Sequence, residues 1–149
     1  MLPWLLRIWR RLPHPLKQLY LRSRYGVFGI GVAALIRDDE GRILLVHRTY
    51  SQDEPWAMPG GWLERGDEAI ESALERELRE ETGLQIRVGG VRGVQRAGFA
   101  IVLLMQAELL DAASRFRPSP EVSELAWVEP SRVSQLSPLN ARLLRQALR

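Results

Sequence analysis

The chain contains no cysteine, and this absence excludes several classes of protein. Without thiols there is no disulfide scaffold, no zinc knuckle and no cysteine nucleophile. No apolar run reaches the roughly 18 residues that a membrane-spanning helix needs. The 149 residues are 46% hydrophobic, which is enough to bury the core of one ordinary domain. We therefore expect a cytoplasmic protein that folds without disulfides or a structural metal.

Acidic residues are absent from positions 1–25, although this segment carries Arg7, Arg10, Arg11, Lys17, Arg22 and Arg24. Its apolar residues recur at spacings of three and four, and Pro13 and Pro15 interrupt them, which predicts two short helices. We interpret residues 1–25 as a basic amphipathic arm preceding a domain at 26–149. Three roles stay open for the arm: a cap on its own domain or on the second subunit of a homodimer, an anchor on anionic lipid, or a tail that binds nucleic acid or another polyanion. The pattern favours the cap.

Residues 26–149 mix strand and helix patterns irregularly, which favours a mixed sheet between helices over a doubly wound sheet. Strands are predicted over 27–37, 42–48, 84–95, 99–109 and 125–128, and helices over 67–82 and 138–149. Gly83 is expected to end the first of these helices. The segment 58–61, Met-Pro-Gly-Gly, predicts a tight bend at which the backbone approaches another group closely.

Eight acidic residues lie between positions 64 and 81. At about 100° per helical residue, Glu77 and Glu81 share the apolar side of the predicted helix, and Glu80 lies at its edge. These three are spaced as neighbours roughly 5–6 Å apart, and at an effective dielectric near 20 each pair repels by about 3 kcal/mol. Arg76 can pair with Glu80, but one cation does not offset three anions. A solvated helix face would not turn carboxylates toward the core.

This repulsion is relieved either by protonation or by a bound cation. Carboxylate oxygens without a nearby histidine or cysteine favour magnesium or manganese. A backbone carbonyl of the glycine bend, such as that of Gly61, would complete the coordination.

At these residues the sequence resembles the Nudix hydrolases, whose box reads G-x5-E-x7-R-E-U-x-E-E-x-G-U, with U an aliphatic residue. The second half of the box is occupied by Arg76, Glu77, Leu78, Glu80, Glu81, Gly83 and Leu84. The first half has one extra residue, because its glutamate position falls on Asp67 counted from Gly61 and on Glu68 counted back from Arg76. We expect the loop or first helical turn to absorb the extra residue, with Asp67 as N-cap and Glu68 as a first-turn acid.

The resemblance implies an α/β/α sandwich with a mixed sheet that hydrolyses, with Mg²⁺ or Mn²⁺, a diphosphate bond in a nucleoside diphosphate linked to another moiety. The implied metal ligands are Gly61, Glu77, Glu80 and Glu81. Arg76 would orient the glutamates or stabilise the charge that develops in the reaction. The general base would be Glu77 or Glu80 on the helix, or Glu121 or Glu124 on a later loop.

Substrate contacts are expected from Arg48, which can reach a phosphate, and from Tyr50, Trp56 and Trp62, which can stack on a base. The alternatives are a solvated edge for Arg48 and core packing for the three aromatic residues. The alternative function is a non-catalytic module that keeps the Nudix fold to bind a nucleotide or a protein. The complete set of box glutamates argues against it, because a binding module has no need of their repulsion.

Overall fold

Strands and helices alternate irregularly along the chain, as the sequence pattern predicts. The computed structural model describes residues 13–26, 28–110 and 115–148. Its helices are α1 (His14–Tyr25), α2 (Ile70–Thr82), α3 (Pro130–Leu136) and α4 (Pro138–Ala147). Its strands are β1 (Gly29–Ile36), β2 (Ile43–Arg48), β3 (Trp56–Ala57), β4 (Gly60–Trp62), β5 (Ile86–Ala97), β6 (Ala100–Leu109) and β7 (Val122–Val128).

The strands form two sheets. One has the order β4-β1-β6-β5, in which β1 runs parallel to β6 and antiparallel to β4, and β5 is antiparallel to β6. The other has the order β3-β2-β7 and is antiparallel. The expected mixed sheet is therefore confirmed, with β1 inside it as a strand buried over its last six residues.

Strand β1 separates two hydrophobic clusters because alternate side chains point to opposite faces of a sheet. On one face Val32 and Ile36 pack in the same cluster as Leu74 and Leu78 of α2. On the other face Leu35 packs in the same cluster as residues of α4, chiefly Leu143 and Leu144. Helices thus cover both faces, and the molecule is the α/β/α sandwich that the sequence predicted.

Helix α2 begins at Ile70, three residues later than expected. The prediction of Asp67 as N-cap was wrong: Ala69 is the N-cap, and the Asp67 carboxylate instead accepts the Glu64 N–H at 2.7 Å. Glu68 accordingly precedes the helix. The C-terminal end agrees with expectation, since Gly83 takes the left-handed conformation at φ 72° that glycine adopts without strain.

Smaller differences concern the ends of the chain and the strands. Strands β3 and β4 at the glycine bend were not predicted, and β7 begins three residues earlier than expected. Of the two helices predicted for the arm, the second is α1, and the first lies outside the described residues. None of the helices in the described ranges is long and apolar enough to cross a membrane.

Leu78→Ala should lower the free energy of unfolding by about 2–5 kcal/mol, because the side chain is fully buried between α2 and the sheet and its removal leaves a cavity. Urea denaturation followed by circular dichroism measures this change. Leu19→Ala on α1, where the side chain is 65% exposed, is the control and should change stability by less than about 0.5 kcal/mol. Equal losses in the two variants would contradict the assigned core.

Candidate active site

Two adjacent glycines allow two close approaches: Gly60 lets β4 lie against the backbone of β1, and Gly61 lets α2 approach the sheet. Strand β4 pairs with β1 so that Gly60 lies opposite Ala33, and a Cβ on Gly60 would come within 2.7 Å of the Ala33 Cα. A Cβ on Gly61 would lie 2.5 Å from Oε2 of Glu77. The Glu77 carboxylate therefore occupies space that any side chain at position 61 would fill. The predicted close approach at this bend is between the backbone of β4 and an acid of α2.

A cleft of about 840 Å³ opens at this contact. Its wall brings together residues that lie far apart in the sequence: Arg48, Tyr50, Trp56, Gly61, Trp62, Arg76, Glu77, Glu80, Glu81 and Glu121. Of the site residues that the sequence predicts, Glu124 alone lies outside this wall, on β7 opposite His47. Of the two later acids, Glu121 is the one that the fold brings to the helix glutamates.

Arg76 holds much of the acidic cluster in place. Its guanidinium lies 3.1 Å from Oε1 of Glu77, 3.4 Å from Oε2 of Glu80 and 3.3 Å from Oδ2 of Asp67. The pKa of Asp67 falls below its usual value because its carboxylate accepts the Glu64 N–H and the Arg76 guanidinium. Arg76 thus orients Glu77 and Glu80, and Asp67 fixes Arg76 from the loop before α2.

Of the three clustered glutamates Glu77, Glu80 and Glu81, only Glu81 forms no ion pair with Arg76. Burial raises its pKa to about 7, and the charges of Glu77 and Glu121 add to the effect, while Arg48 opposes it. Burial also raises the pKa of Glu77, against the lowering effect of Arg76. Glu77, Glu81 and Glu121 therefore lie close together in the cleft, and the neighbouring arginines do not fully balance their negative charge. Such a pattern is typical of functional sites.

The donor set suits a hard divalent cation, since only oxygen donors surround this part of the cleft. The side chain of Glu77 is 13% exposed and its carboxylate lies against the backbone of Gly61. Glu80 differs, because its side chain is 61% exposed and one of its oxygens faces Arg76. Within the described ranges, no three His, Cys, Asp or Glu side chains are already arranged as a metal-binding group. The residues fit magnesium or manganese by chemistry, and Glu80 would turn from Arg76 to become a ligand.

The cleft also contains residues that sequence reasoning missed. Phe99, at the turn between β5 and β6, stacks on Trp62 with ring centroids 5.7 Å apart and planes 9° apart. Asn140 of α4 is 5% exposed, and its side-chain amide donates to the Trp56 carbonyl at 3.5 Å. A buried asparagine inside a leucine-rich helix was the available signal for Asn140. The local sequence around Phe99 does not predict its place in the cleft, because that place depends on how the β5–β6 hairpin packs beside β4.

The α/β/α sandwich and the acidic cleft on α2 agree with what the resemblance to the Nudix hydrolases implies, and the comparison with known families points to the same class. The NUDIX domain model matches residues 27–147, and the chain belongs to this family. It is a Nudix pyrophosphohydrolase acting on nucleoside diphosphate-linked substrates.

Individual proteins are similar to this chain in sequence and in structure. A MutT-like protein of Streptomyces ambofaciens is 29% identical over 106 residues, 71% of this chain and 67% of that protein. The CTP pyrophosphohydrolase of Escherichia coli is 33% identical over 120 residues, 77% of this chain and 88% of that protein. The solution structure of the E. coli ORF135 protein superposes with a TM-score of 0.64 at 30% identity, covering 82% of this chain and 89% of that one.

Glu81→Gln should raise the melting temperature of the metal-free protein at pH 8 and have little effect at pH 5. The pKa of Glu81 in the folded state, about 7, exceeds its ordinary value of 4.5, so the folded protein binds this proton more tightly than the unfolded chain. Stability therefore falls as pH rises through this interval, and glutamine removes the loss. Melting in EDTA at both pH values measures the effect. The exposed Glu124→Gln is the control, and an equal shift at both pH values would contradict the shifted pKa.

Proposed function

We propose that the chain hydrolyses a diphosphate bond of a nucleotide in the cleft between Gly61 and Glu121, with Mg²⁺ or Mn²⁺ held by Glu77, Glu80, Glu81 and the Gly61 carbonyl. The observation that carries this proposal is the set of partly buried acids facing one cleft, with the pKa of Glu81 raised to about 7. When bound, the cation would neutralise phosphate oxygens and lower the pKa of a water molecule. The relative named CTP pyrophosphohydrolase supports a nucleotide as substrate.

The reaction consumes one water molecule. The water oxygen forms a bond to one phosphorus, the bridging oxygen leaves with the other phosphate, and the general base accepts the water proton. Glu121 is the favoured base, because Glu77 and Glu80 are each paired with the Arg76 guanidinium and proposed to hold the cation, whereas Glu121 lines the same cleft without either role. Arg48, at the edge of the same cleft, would bind a phosphate oxygen, and Tyr50 and Trp56 would contact the nucleoside.

The role of residues 1–25, to which helix α1 belongs, stays a prediction. Leu16 and Leu19 are exposed on it, so an apolar face remains for a second copy of the chain or for an anionic lipid surface. Contact with nucleic acid through the basic residues of this arm also stays a prediction, as does cytoplasmic location.

Glu80→Gln and Glu81→Gln should each lower kcat at least about a hundredfold, because each removes a charge proposed to hold the cation that stabilises the transition state. Phosphate release from a panel of nucleoside triphosphates and nucleoside diphosphate sugars, with magnesium, measures the loss. Glu71→Gln, an exposed acid of the first turn of α2, is the matched control and should retain activity. Turnover like that of the wild type in both Glu80 and Glu81 variants would reject the assignment.

Magnesium at millimolar concentration should raise the melting temperature of the wild type, since a ligand that binds the folded state alone stabilises it. Gly61→Ala should lose most of this increase, because the added methyl group would displace the Glu77 carboxylate. Gly66→Ala is the control, since a Cβ there meets no atom within 4 Å. A full magnesium response in Gly61→Ala, measured against sodium chloride of equal ionic strength, would contradict the proposed position of the cation.

A further inference from the structure

A second concave surface lies at the C-terminal end of α2. It has a volume of about 620 Å³ and contains three arginines, Arg79, Arg115 and Arg117, which we call the arginine hollow. Glu80 lines both this hollow and the cleft, so the two spaces adjoin at one side chain. A molecule extending out of the cleft past Glu80 would therefore enter the space that the three arginines line.

Among the residues that the structure describes, no acid forms an ion pair that balances the positive charge of the hollow. Arg42 and Arg76 form ion pairs, whereas none of the three hollow arginines forms one with any residue that the structure describes. The acid in the hollow, Glu80, already faces Arg76 at 3.4 Å. Since residues 26–149 carry more acids than bases, this excess of positive charge is local.

The backbone holds the hollow in shape. The Arg117 N–H donates to the Thr82 carbonyl at 2.9 Å, which ties the loop before β7 to the last turn of α2. The Arg117 side chain lies over Gly83, where a Cβ would come 3.3 Å from its Cγ. The position of this arginine beside the helix end is therefore fixed by contacts within the chain.

Arginines near a helix C-terminus also offset the negative end of the helix dipole, and this structural role needs no ligand. It accounts for Arg79, which lies in the last turn of α2. It does not account for Arg115 and Arg117, two further arginines on a loop, or for the concave shape of the surface that they line. Arg145, an exposed arginine in the last turn of α4, has the helix-end role without the hollow and provides a direct comparison.

We propose that the arginine hollow binds substrate phosphate groups that lie beyond the hydrolysed diphosphate. The planar guanidinium group matches phosphate oxygens in two parallel hydrogen bonds, so the hollow selects a chain of three or more phosphates. Such a chain occurs in a free nucleoside triphosphate and at the 5′ end of a triphosphorylated oligonucleotide. A nucleoside diphosphate sugar has no further charge there and gains nothing. This inference rests on the proposed function of the adjoining cleft.

The test compares the wild type with the double variant Arg79→Gln/Arg117→Gln. For each protein, kcat/KM is measured on a nucleoside triphosphate, a 5′-triphosphate oligonucleotide and a nucleoside diphosphate sugar of the same base. The ratio of triphosphate to sugar kcat/KM should fall about tenfold or more in the double variant, as expected for the loss of a charged hydrogen bond. A fall with one triphosphate alone identifies the source of the phosphate chain. Arg145→Gln should leave the ratio unchanged.

Binding of inorganic tripolyphosphate without divalent metal, measured by calorimetry, is the second readout. The double variant should bind it about tenfold more weakly than the wild type and Arg145→Gln. An unchanged ratio or an unchanged tripolyphosphate affinity in a folded double variant would overturn the inference. Failure of the wild type to hydrolyse any of the three substrates would instead reject the proposed function. Tripolyphosphate binding alone would then test whether the arginine hollow binds a chain of phosphates.

Discussion

The contact between the Glu77 carboxylate and the backbone at Gly61 is the constraint on which the site depends. Helix α2 is fixed by Leu74 and Leu78 against the sheet, and β4 is fixed by its pairing with β1. These two attachments leave room for an acid only because position 61 has no side chain. The hydrophobic core therefore sets the depth at which the acidic edge of α2 meets the strand.

The helix and its chemistry were predictable because they follow from local spacing. The spacing of about 100° per helical residue predicts Glu77 and Glu81 on the apolar side and Glu80 at its edge. In the structure Glu77 and Glu81 are partly buried and Glu80 is exposed, which agrees with this prediction. The start of α2 was not predictable in this way. Asp67 is a residue type that often caps helices, yet its carboxylate instead accepts the Glu64 N–H and pairs with Arg76, nine residues later. The pairing with Arg76 cannot be read from the local sequence.

Residues that reach the cleft from distant strands were harder to assign. Glu121 and Glu124 were indistinguishable in sequence, and the pairing of β7 with β2 separates them by placing Glu124 opposite His47. Phe99 enters through a hairpin turn, and Asn140 enters from α4 on the other side of the sheet. The sequence pattern predicts which elements exist, whereas the composition of a cleft between elements depends on their register.

The parallel pairing of β1 with β6 has a consequence for how the chain folds. Gly29 pairs with Ala100, about 70 residues later, so this ladder requires closure of a long loop before any hydrogen bond in it forms. Such non-local pairing slows folding relative to helical proteins of the same size. Helix α2 lies within that loop and packs on the face of β1. Because Phe99 and Ala100 also line the cleft, the cleft is complete only once this ladder has formed.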